Sequence, residues 1–197
     1  MELLLDSPSD QTILSALRTG EQRRAAELLV QHYSQTVYSA VRCAAEPLQA
    51  EDWTYGAFAR AFNALRGYRG EGSPGRWLLE TACHLLLEAL PPATGDVVST
   101  PPDSAVVPSP EEVRRALPAM PARERAVLAL GHRFIGEQQL GDAVGELPAA
   151  EARLRLLLAD DGGQAPGRAA TLELYRELNW RMPEALRRRL EVLCAAL

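Results

Sequence analysis

The chain has 197 residues, 47% hydrophobic and 24% charged, which is the balance of an ordinary globular protein with one core or two small ones. Its net charge of −5, with all 21 basic residues being Arg, argues against tight autonomous DNA binding, which usually leaves a basic footprint. Three widely spaced cysteines, Cys43, Cys83 and Cys194, exclude a disulfide framework, and no apolar run approaches the roughly 18 residues of a membrane span.

In chain order, everything periodic is helical. Leu14, Leu17, Ala25, Leu28 and Leu29 mark a first pair of short helices. Val30 to Ala45 carries Tyr33, Val37, Tyr38 and Val41 at helical spacing, and Pro47 ends it. A third helix over 50–65 sets Trp53, Ala57, Phe58, Ala61, Phe62 and Leu65 on one face. Gly67 to Gly75 reads as a loop, and 76–90 as a fourth helix stopped by Pro91-Pro92.

Residues 91–110 hold six Pro among Ser, Thr, Gly and Asp, which is the composition of a linker. Four short helices are expected beyond it, over 111–118, 121–132, 136–144 and 148–159. Asp160 to Gly167 forms a second break. Residues 169–197 give one or two amphipathic helices divided near Met182-Pro183. The expected fold is therefore all-α: a helical domain over 1–90, the 91–110 linker, a second helical domain over 111–161, and a helical tail over 162–197. Only the tail is basic on balance, with six Arg against four Glu.

Several motifs carry information about function. Ala50-Glu51-Asp52, Ala57-Phe58 and Arg60-Ala61-Phe62 follow Tyr33 and Val37-Tyr38; Arg69-Gly70-Glu71 then leads to Trp77-Leu78. Together they resemble the second conserved region of bacterial sigma factors of the extracytoplasmic-function type. Leu117-Pro118-Ala119-Met120-Pro121, Arg123 to Leu128, and Leu147 to Leu156 resemble the fourth region of the same family, a helix-turn-helix. The resemblance spans roughly residues 20–160.

It implies two things. The third helix would dock on the RNA polymerase core through Asp52, Tyr55, Phe58 and Arg60, and Arg153 and Arg155, with Arg76, would contact promoter DNA. It further implies an anti-sigma or other regulatory protein as a partner. The unpaired cysteines and an N-terminus without a signal-peptide pattern lead us to expect a cytoplasmic location. The lack of a phosphate-binding Gly loop or nucleophile–base motif leads us to expect no enzymatic activity and no cofactor.

The chain also departs from the pattern. Tyr55 stands where the family has a Gln that joins Asp52 in docking. Glu80 and Cys83 replace basic groups of the fourth helix, and no basic run follows it. A carboxylate beside a phosphate repels it and forfeits the counterion release that drives binding. Leu157-Leu158-Ala159-Asp160 stand where basic residues usually extend the recognition helix. These substitutions support a second expectation, a sigma-like protein that has lost promoter binding and acts as a protein–protein module.

Other candidates read as structural. Trp53, Phe58, Phe62 and Trp77 fit a core at their helical spacing. Cys83-His84 has no second ligand pair at a metal-binding spacing, and His32 and His132 stand alone. Arg187-Arg188-Arg189 fits a solvated face with Glu184 and Glu191 in pairing range. Leu154, Leu156, Leu157 and Leu158 surround almost a full turn, which predicts a helix buried on several sides.

Overall fold

The computed structural model describes residues 8–68, 73–90, 99–134, 141–159 and 164–197. Among these residues the protein is all-helical, with no strand. Helix α1 covers Pro8–Arg18 and α2 covers Gln22–Ala44. The turn between them needs Gly20, whose φ of 79° lies in the left-handed region. Gly20 N–H donates to Leu17 O and Glu21 N–H to Ala16 O, closing the end of α1. Sequence periodicity suggested a short helix and then another where α2 runs unbroken for 23 residues. Residues 22–44 contain no Gly or Pro, so nothing interrupts the hydrogen-bond ladder.

Helix α3 covers Pro47–Ala64, with Pro47 both stopping α2 and occupying the first turn of α3, where its missing N–H costs nothing. Helix α4 covers Pro74–Ala89. Its N-terminus is anchored by the buried Asp10 of α1, which accepts from Tyr33 Oη at 2.5 Å, from Ser73 Oγ and from Gly75 N. A carboxylate suits a helix N-terminus, and here it ties α1, α2 and α4 together. Gly75 is required by close packing, since a Cβ there would lie 2.3 Å from the Tyr33 ring.

Helix α5 covers Pro110–Ala116 and opens on a reciprocal Ser109–Glu112 capping box. Helix α6 covers Ala122–Ala129 and continues as a π-helical turn to Phe134. Helix α7 covers Leu147–Leu158, preceded by a 3-10 stretch over Gly141–Glu146. The helix expected over 136–144 falls mostly outside the described residues; its described end belongs to that 3-10 stretch. Arg69-Gly70-Glu71 and Asp160 also lie outside them. The tail divides as expected, into α8 (Arg168–Glu177) and α9 (Glu184–Ala195).

The two helical modules and the tail share one hydrophobic core, which runs from Ile13 on α1 to Cys194 on α9. Helix α6 is buried on every side from Ala126 to Leu130 and packs against α2, α4 and α7. Arginines reinforce the seam. Arg123 donates to Leu87 O and Leu90 O at the end of α4 and pairs with Glu146 at 2.9 Å. Arg125 pairs with Glu46 at 3.3 Å.

The tail is pinned on α2 by polar contacts as well. Gln35 donates to Trp180 O at 2.7 Å, and Met182 N–H donates back to Gln35 Oε1. Residues 99–109, the described end of the Pro-rich segment, lie against α7 and α8. There Ser104 Oγ donates to Ala165 O, and Gly167 N–H donates to Val106 O. No helix among the described residues is long and apolar enough to cross a membrane.

Candidate functional site

Helix α3 presents Leu48, Asp52 and Tyr55 along one stripe, at the i, i+4, i+7 spacing that keeps side chains on a common face. Leu48 is 78% exposed and the Asp52 side chain 70% exposed. Tyr55 is half-buried against the core. Arg189 of α9 lies on this stripe. Its Nη1 and Nη2 reach Asp52 Oδ1 at 3.2 and 3.1 Å, and its Cζ sits 4.7 Å from the centre of the Tyr55 ring. One guanidinium therefore joins an ion pair and a cation–π contact. Arg60, further along α3, forms a two-pronged pair with Glu88 of α4 at 2.6 and 3.2 Å.

Phe58 corrects the expectation that it belongs to this face. It is fully buried and meets Phe62 edge-on, with ring centroids 5.8 Å apart. Apolar residues one turn apart on the inner side of an amphipathic helix serve the core, which Phe58 does. Trp53 and Trp77 pack partly buried against the same core, and Tyr68 leans on Trp77 at 4.9 Å.

The residues expected to meet DNA occupy different settings. Arg76 folds back onto Glu80 one turn along α4, at 2.9 Å. Arg153 pairs with the buried Glu124 of α6 at 2.7 Å. Arg155 is 3% exposed and is used internally, which corrects its assignment to a DNA-facing surface. Its Nε donates to Pro166 O at 2.8 Å and its Nη2 to Pro102 O at 2.7 Å, with Asp103 at 3.4 Å. Two chain segments thus close over the guanidinium and satisfy it with carbonyls.

The leucines of α7 also differ from expectation. Leu154 is buried and α5, α6 and α8 all pack on the helix, but Leu156 and Leu157 are 44% and 41% exposed, so one face stays open.

Sequence reasoning missed the buried polar group beneath α7. Glu151 accepts from His132 Nε2 at 2.6 Å and from Arg168 Nε and Nη2 at 2.5 and 2.9 Å. Arg176 lies 3.3 Å from His132 Nδ1. Arg can only donate, so Nδ1 accepts and the ring proton sits on Nε2, facing Glu151. Burial pushes the Glu151 carboxyl up, but the hydrogen bonds from His132 and Arg168 and the charge of Arg168 outweigh it and bring it down to about 2.

A cavity of about 300 Å³ borders this group, lined among others by Thr100, Leu147, Arg155 and Arg168. Of its charged groups, Glu151 pairs with Arg168 and Arg155 with backbone carbonyls, an arrangement suited to holding α7 and α8 in place. His132 is isolated in sequence, and its partners are 19 and 44 positions away, so no local signal could have found them.

The Arg187–Arg189 run carried the one usable signal for the α3 contact. Arg187 and Arg188 do pair with Glu184, each at 3.6 Å, on their own helix. Arg189 instead reaches Asp52, 137 positions away. No family model, curated protein or solved structure matches the chain.

Proposed function

We propose that the protein is a sigma-like regulator of transcription initiation, of the extracytoplasmic-function kind, that engages the RNA polymerase core through α3. One observation carries the reading. Asp52 and Tyr55, where the sequence resemblance sets the docking residues, share a surface stripe with an exposed Leu48. An exposed aliphatic group, a carboxylate and an aromatic ring in one row form an amphipathic strip suited to a protein partner.

A second reading is favoured by a specific observation at α7: a sigma-like protein–protein module that no longer reads promoters. Arg155 is enclosed by carbonyls, and Arg153 and Arg76 are each neutralised by a glutamate. Bound in this way they offer phosphates little counterion release.

Pull-down of core RNA polymerase by the purified chain tests the first reading, with Asp52→Arg as control. Capture by the wild type and its loss in a still-folded Asp52→Arg protein is the expected result. Gel shifts with the polymerase complex on promoter libraries then separate the two readings. Sequence-selective retention of DNA supports a working sigma factor, and capture of polymerase without it supports the module.

A further inference from the structure

The geometry points to Arg189 as an internal latch that competes with the polymerase core for Asp52 and Tyr55. The inference rests on the reading that these two residues dock the core, and it adds a regulation of that face. Arg189 is the charged group of α9 that leaves its own helix face: Arg187 and Arg188 stay with Glu184, while Arg189 crosses to α3. It engages both residues at once, so a partner seated on either must displace it.

The latch is the side chain and not the helix. Leu186, Leu190 and Cys194 of α9 are buried in the common core, as are Leu178 and Met182 just before the helix. Withdrawing α9 would expose all of them, so the tail stays in place when a partner binds. The Arg189 side chain is 43% exposed and its stem has freely rotating bonds, so it can swing away while the helix remains seated. An exposed ion pair and an exposed cation–π contact are individually weak. The latch therefore tunes affinity and does not abolish binding.

The test compares the affinity of wild type, Arg189→Ala and Arg188→Ala for core RNA polymerase, with thermal melting of each. Arg189→Ala is expected to bind about threefold to tenfold tighter, which is the worth of such a pair of contacts. Its melting should stay close to that of the wild type. Arg188→Ala, which removes equal charge but touches only Glu184, should bind as the wild type does. Equal affinity of the wild type and Arg189→Ala overturns the latch and leaves the docking reading standing. Weaker binding by Arg189→Ala also overturns it, since Arg189 would then belong to the docking surface itself. If neither protein binds the core, the docking reading falls and takes the latch with it.

Discussion

The charges of α3 and those of α7 are used in opposite ways. On α3, Asp52 and Arg60 stand in solvent and pair across the surface with Arg189 and Glu88. On α7, Glu151 and Arg155 are drawn inside and pair with His132, Arg168 and backbone carbonyls. Both helices hold charged residues at positions where a family pattern expects contacts to partners. Those of α3 stay where a partner could reach, and of those on α7 only Arg153, 30% exposed and paired with Glu124, is still partly accessible. A charged residue's place on a helix says which way it points; whether another segment covers it depends on the rest of the fold.

Acid should expose the difference most strongly. Glu151 sits at about 2 in the folded protein against an ordinary value of 4.5. A carboxyl held low when folded contributes stability that is present above its unfolded value and is lost as pH falls toward its folded one. Stability should therefore drop between about pH 4.5 and pH 2, by about 3 kcal/mol from this group. Urea melts over that range check it. In Glu151→Gln the slope should flatten while stability at neutral pH falls. An unchanged slope would mean that the α7 charges are no more structural than those of α3.

Arg155 offers the next largest contrast. Arg155→Ala leaves the carbonyls of Pro166 and Pro102 without their donor and opens space under α7. The expected cost is about 2–3 kcal/mol, or roughly 5–10 °C in Tm for a chain of this size. Arg155→Lys should recover part of it, because one ammonium cannot follow the planar fork that spans both segments. A melt unchanged by Arg155→Ala, with weaker DNA retention in the polymerase complex, would return Arg155 to the DNA-facing role.

The helices themselves were legible, and so were several of their ends. Pro47 marks the junction of α2 and α3, and Met182-Pro183 precedes α9, because proline lacks the N–H a helix interior needs. The continuity of α2 was less legible, since a change of apolar face along a long buried helix looks like a break between two short ones. Periodicity also could not say that α6 is wrapped by both modules, because an all-round apolar helix has no preferred face.

The sequence pattern singled out Asp52, Tyr55 and Arg60, which lie on α3, but not the partners that hold them. Arg189 lies 137 positions from Asp52, and the groups that enclose Arg155 are mainly backbone carbonyls, which any residue carries. Phe58 reads both ways, as a docking residue by the resemblance and as core by its helical spacing, and the spacing gives its place.

The smallest expected effect falls on α3, and it is the one that defines that surface. A double-mutant cycle with Asp52→Asn and Arg189→Ala should return a coupling of about 0.5 kcal/mol, within the range of exposed pairs. Both side chains are substantially solvated, so the attraction between them is weakened by water and by ordering two mobile groups. In about 1 M salt, where the Debye length shrinks to roughly 3 Å, the coupling should fall toward zero. Arg60→Ala should leave the melt unchanged, because both members of its pair with Glu88 are exposed. A coupling above about 2 kcal/mol that survives high salt would make Asp52–Arg189 a structural tie like those beneath α7. The α3 face would then be sealed, and a partner could reach Asp52 only at a cost comparable to opening the core.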